Sequence, residues 1–158
     1  MRTEGGRLST SGCDARYRRS MRKASCNCGA VRIEVTGDLK PPDACHCVQC
    51  RKWTGHFTVG VDVKRANCTI LGEENVTWYK TSEKVRRGFC KTCGSSLLFD
   101  PIDRAKHDWI GVALGAFDDP TNTHIALHIF VSEKGDYYEI TDGAPQYATI
   151  PTHATPSS

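Results

Sequence analysis

Val31-Arg32-Ile33-Glu34-Val35-Thr36-Gly37 alternates apolar with charged side chains and stops at a glycine. One face of such an extended segment is apolar and the other is wet, which is the period-2 pattern of a half-buried strand. The alternation returns at Phe57, Val59, Val61 and Val63. Shorter runs follow at Cys68 to Leu71, Val76 to Lys80, Val85 to Phe89, Ser96 to Phe99, Trp109 to Ala116 and His124 to Val131. Turn signals separate them, among them Leu71-Gly72, Asp118-Asp119-Pro120 and Lys134-Gly135-Asp136. Only 48–54 and 102–106 have the composition for a helical turn. The expected architecture is mainly β, one domain of several short antiparallel strands, with no internal repeat.

The chain has 158 residues and a mass of 17.5 kDa, the size of one ordinary domain, which excludes a large multidomain enzyme. Its mean hydropathy is −0.44, and no run approaches the roughly 20 apolar residues that span a bilayer. The net charge of +3 is unevenly spread. Residues 1–22 hold six arginines against Glu4 and Asp14, so residues 23–158 carry fifteen basic against sixteen acidic side chains. The body is not basic, and nucleic acid is not an expected partner. Residues 1–22 have only Leu8, Tyr17 and Met21 as large apolar side chains, too few to offset the entropy of ordering. They are expected to be a disordered basic extension. It is a start upstream of a native Met21, an added non-native segment, or an Arg- and Ser-rich targeting peptide; we favour the first. The domain is expected at 23–147, followed by a tail at 148–158. Beyond Ala144, Pro145, Pro151 and Pro156 point to an extended strap or a frayed end.

Cysteine is the unusual component, nine residues in an odd number with no secretory apolar segment before them. Metal ligation is therefore read before disulfides, and a cytoplasmic location is expected. Seven fall into three groups: Cys26 and Cys28; Cys45, Cys47 and Cys50; Cys90 and Cys93. Thiolates separated by one or two residues can turn toward one ion from a single loop. Cys90-x-x-Cys93-Gly94 has the form of a zinc knuckle, and Cys26-x-Cys28-Gly29 is its counterpart. Together they make a closed, structural four-cysteine site. Cys45-His46-Cys47-Val48-Gln49-Cys50 supplies three thiols without a local fourth, the three-ligand pattern of a catalytic zinc. Three thiolates make zinc a poor source of hydroxide but suit it to a fourth thiolate, such as a substrate thiol. The competing possibility is that His46, His56 or Cys68 closes this second site and both ions are structural. Cys13, in the extension, and Cys68, in a strand-like run, are assigned to neither site.

The order Cys26-x-Cys28-Gly29, Cys45-His46-Cys47-x-x-Cys50-Arg51-Lys52-x-x-Gly55, Phe89-Cys90-x-x-Cys93-Gly94 resembles the glutathione-dependent formaldehyde-activating family, which includes centromere-protein-V-like members. The stretches His128-Ile129-Phe130-Val131 and Gly135-Asp136 are similar to it as well. The resemblance implies coiled antiparallel sheets of β-tent-like type carrying two zinc ions. It makes Cys26, Cys28, Cys90 and Cys93 structural ligands, and Cys45, Cys47 and Cys50 the reactive ones. The implied reaction is addition of a thiol, glutathione in the type activity, to formaldehyde to give S-hydroxymethylglutathione, or the reverse carbon-sulfur cleavage.

Glutathione carries two carboxylates, so basic residues near the trio are candidate anchors. Arg51 is the first choice; Lys52 follows it, and Arg86, Arg87 and Lys91 flank the second knuckle. His46 is the nearest candidate to meet substrate or supply a proton, although alternation along the turn can point it away from the metal. Trp53 and Phe57 are either pocket walls or core, and His124 and His128 are ambiguous in the same way. The alternative function is a non-catalytic zinc module or glutathione carrier, whose basic extension contacts nucleic acid or a protein partner.

Overall fold

In a computed structural model the described residues are 21–151. The extension up to residue 20, and with it the proposed nucleic-acid contact, lies outside them, as does the end of the tail. Ten strands form two sheets among the described residues. The smaller has the order β1 (Met21–Ser25), β2 (Arg32–Thr36), β5 (Cys68–Leu71), all antiparallel. The larger sheet has seven strands in the order β10 (Leu127–Ile129), β3 (Asp43–Cys45), β4 (Thr58–Lys64), β9 (Trp109–Ala113), β8 (Ser96–Pro101), β7 (Val85–Cys90) and β6 (Val76–Lys80). One helix, α1, spans Val48–Thr54.

The alternating residues form the core as their period requires. Ile33 and Val35 of β2 are buried with Ala24 of β1 against Val61 and Val63 of β4, Leu98 of β8, and Ile110 and Val112 of β9. The apolar face of each sheet thus covers the other. Each fully buried Val, Leu or Ile contributes about 1.5–3 kcal/mol relative to exposure. Between Gly88 and Phe89 the register on β8 jumps from Leu98 to Ser96, leaving Leu97 as an extra residue in a β-bulge. Both Leu97 and Leu98 are consequently buried.

Several expectations are corrected. Met21 and Arg22, assigned to the extension, are strand residues paired with Thr36 and Val35. The pairing is not purely antiparallel, because β10 runs parallel to β3. The turn at 102–106 is no helix, only a turn closed by the His107 amide donating to the Asp103 carbonyl at 3.0 Å. The run from His124 narrows to Leu127–Ile129, so His124 lies before the strand and is exposed. The residues after Ala144 are an extended strap along β10, held by His128 N–H to the Pro145 carbonyl at 2.8 Å and Tyr147 N–H to the His128 carbonyl at 2.9 Å. No helix of the described residues is long and apolar enough to cross a membrane.

Candidate metal centres

Cys26 and Cys28 sit in the turn between β1 and β2; Cys90 ends β7, and Cys93 lies in the turn to β8. Gly29 and Gly94 follow the second cysteine of each pair with φ of +76°, a left-handed turn that glycine adopts without strain. Their amides donate back to the carbonyls of Cys26 and Cys90 at 2.9 and 2.8 Å, so each knuckle is closed by its glycine, the second over one residue more than the first. The four sulfurs lie within 4.8 Å of one another. Cys26 Sγ is 3.5 Å from Cys28 Sγ, which is 3.8 Å from Cys90 Sγ. A tetrahedron with zinc-sulfur bonds of about 2.3 Å has edges of about 3.8 Å, so these spacings fit the ion. The Val31 amide donates to Cys26 Sγ at 3.2 Å, which favours the thiolate.

The trio is built where β3 runs into α1. Cys45 is the last residue of β3, Cys47 is the N-cap of the helix, and Cys50 lies in its first turn. Cys47 Sγ accepts from the Cys50 amide at 3.4 Å. The three sulfurs lie within 4.8 Å of one another, and among the described residues no fourth Cys, His, Asp or Glu donor joins that group. His56 instead pairs with the Tyr137 hydroxyl at 3.3 Å, and Cys68 lies on β5 of the other sheet. The donor set fits a thiophilic ion such as zinc through three sulfurs.

Arg87, one of the flanking basic residues, is the cation at the trio. It is buried, and its Nη2 donates to Cys50 Sγ at 3.4 Å while the guanidinium lies over the Phe99 ring at 5.2 Å. Register explains this: Arg86 and Arg87 face opposite sides of β7, and Arg86 pairs with buried Asp100 on the far side. A hydrogen bond from Cys45 and the Arg87 charge outweigh burial and hold the Cys50 thiol down to about 5. Cys45, which donates that hydrogen bond, is pushed up. Arg51 follows Cys50 on α1, half-buried, and its Nε and the Nε of Arg87 are buried donors without a hydrogen-bond partner.

His46 does not join the three-sulfur group. Its ring is fully buried, with Nδ1 2.5 Å from the Tyr138 hydroxyl and Nε2 2.9 Å from His128 Nδ1. Burial, together with the neighbouring His128, lowers its pKa to about 4, so the ring is neutral at pH 7. Phe57 packs on it at 4.8 Å. Trp53 stacks on Tyr79 at 6.1 Å and donates its indole N–H to Ser96 Oγ. The sequence gives no direct signal for Tyr138, Asp142 or Glu133, whose carboxylate accepts from the Val48 amide at 2.8 Å, because all three arrive from far along the chain.

A β domain with one four-thiol cluster and one three-thiol cluster defines a class of proteins whose thiols could hold metal ions. Residues 21–133 match the model of the glutathione-dependent formaldehyde-activating enzyme family, and the chain belongs to that family. An uncharacterized lyase of Schizosaccharomyces pombe is 24% identical over 120 residues, which is 76% of this chain and 85% of that protein. The crystal structure of a Rhodobacter sphaeroides protein is similar with a TM-score of 0.52 at 25% identity, covering 63% of this chain and 91% of that one. Family and relative together place the chain, at a coarse level, among lyases.

Proposed function

We propose that this chain is a carbon-sulfur lyase of the thiol-aldehyde adduct type, joining a thiol such as glutathione to formaldehyde or a related aldehyde and catalysing the reverse cleavage. The observation that carries this reading is the trio Cys45, Cys47 and Cys50 without a fourth donor among the described residues. Three thiols would leave an ion held by the trio open to a substrate ligand, whereas Cys26, Cys28, Cys90 and Cys93 would make a closed structural site. Cys45, Cys47 and Cys50 would hold the zinc, which would supply a place where a thiol, with a free pKa near roughly 8.5, is ionised at neutral pH.

The chain's own residues support that chemistry. Arg87 keeps a positive charge against Cys50 and offsets the negative field of three thiolates, which favours the arrival of a further anion. Arg51, half-buried and next to Cys50, is the candidate anchor for a carboxylate of glutathione. In the addition, the thiol sulfur bonds to the carbonyl carbon, the carbonyl π pair moves to oxygen, and the proton lost by the thiol ends on that oxygen. The gain comes from proximity and an activated nucleophile. His46 has both ring nitrogens engaged, so water delivers the proton. A reducing compartment such as the cytoplasm suits seven thiolate ligands.

The test is adduct formation from glutathione and formaldehyde, followed by exchange NMR with the zinc-loaded protein. Acceleration over buffer that Cys50→Ala abolishes is expected. A wild-type rate equal to the uncatalysed one sinks the proposal.

A further inference from the structure

Four side chains form one hydrogen-bonded line that runs from the interior out to an exposed carboxylate: Tyr138, His46, His128 and Asp142. Tyr138 Oη is 2.5 Å from His46 Nδ1, His46 Nε2 is 2.9 Å from His128 Nδ1, and His128 Nε2 is 3.0 Å from both oxygens of Asp142. Both histidines are buried. An ionised carboxylate only accepts, so His128 carries its proton on Nε2. With His128 neutral, its Nδ1 is an acceptor and His46 donates from Nε2. The remaining His46 nitrogen, Nδ1, then accepts from the Tyr138 hydroxyl. The reverse direction needs a doubly protonated His128 in the interior, so Asp142 sets the tautomer of both rings.

One member of this line, His46, stands in the sequence between two of the trio's cysteines. His46 separates Cys45 from Cys47, and its amide also donates to the Ile129 carbonyl at 3.0 Å. With the ring held by Tyr138 and His128, the flanking thiols come within 4.8 Å of each other and of Cys50 without it. Asp142 is itself held by the Ala144 amide, which donates to Oδ1 at 3.1 Å. Tyr138 and Asp142 lie beyond residues 21–133, the stretch that matches the family.

We propose that Asp142, His128 and Tyr138 are positioning residues which, through the buried His46 ring, hold Cys45 and Cys47 in their metal-binding orientation; this rests on reading the trio as a metal site. They touch neither metal nor substrate. Their effect is on how tightly the trio keeps its ion, in the way that groups behind a ligand shell change metal affinity by about 10–100-fold.

The experiment uses the full zinc-loaded chain. Zinc release to a colorimetric chelator is followed in time, and the trio's phase is identified by its loss in Cys47→Ser. Asp142→Ala is expected to speed that phase about tenfold or more while leaving the four-cysteine phase unchanged. Asp142→Asn, whose amide oxygen still accepts from His128 Nε2, is expected to release like wild type. Ring 15N spectra should show both histidines protonated on Nε2 in wild type and a mixture of tautomers in Asp142→Ala. If Asp142→Ala fails to fold, Tyr138→Phe, which removes only the donor at the other end, should speed the same phase. Two zinc ions in wild type with unchanged release and unchanged tautomers in the variants overturn the inference alone. A single zinc in wild type overturns the reading of the trio as well.

Discussion

His46 is a neutral histidine fixed in the interior, and its sign in the stability balance follows from that. Its folded pKa of about 4 lies below the unfolded value near 6.5, so between these pH values the unfolded chain binds the extra proton. Stability is therefore expected to fall as pH drops from about 6.5 to about 4, by up to about 3 kcal/mol from this group. The His46 ring resonance should not titrate between pH 8 and pH 5; a midpoint near 6.5 contradicts the neutral assignment. Arg87→Lys keeps the charge but loses the planar fork that reaches Cys50 across the Phe99 ring. Adduct formation should slow by about tenfold with an unchanged circular dichroism spectrum. The seven cysteines were legible because ligands on short loops must cluster in sequence. Arg87 was legible only as one of several basic residues, since the choice between Arg86 and Arg87 depends on which face of β7 meets α1. The partners of His46 were not legible, because Tyr138 is 92 positions away and joins it through tertiary packing alone.

Among the elements, the strands that read clearly are those with alternation strong enough to bury one face, β2 and β4 above all. β1 escaped because Met21-Arg22-Lys23-Ala24-Ser25 buries only Ala24, and its extended form depends on pairing with β2. β3 and β10, three residues each, are too short to show a period, so their parallel pairing had no local signature. The centre of β7 leaves no room for a side chain at Gly88. A Cβ there would sit 2.9 Å from Cζ3 of Trp78 and 3.1 Å from both Leu98 Cβ and Val76 Cγ1. Because the site borders the bulge at Leu97, relief would disturb the register that delivers Cys90. Gly88→Ala should cost about 1–3 kcal/mol in urea unfolding. A variant as stable as wild type would mean that β6 moves aside.

At the scale of the molecule, the four-cysteine cluster ties the two sheets together at one end, Cys26 and Cys28 coming from the small sheet and Cys90 and Cys93 from the large one. Loss of that ion should lower stability more than loss of the trio's, because the trio lies within a single loop and helix turn. Thermal unfolding of Cys93→Ser is expected at a clearly lower temperature than that of Cys47→Ser; equal midpoints would remove the structural distinction between the sites. Strong chelation should likewise lower the melting temperature of wild type.

The separation of Cys28 from Cys90 by 62 positions also has a consequence in time. During synthesis at about 5–20 residues per second, the first knuckle emerges roughly 3–12 seconds before its partner exists. The trio, by contrast, is complete within about a second. The cluster that closes the fold thus spends its early life as two exposed thiols, and their oxidation state until β7 and β8 arrive is set by the surrounding redox poise rather than by the finished structure.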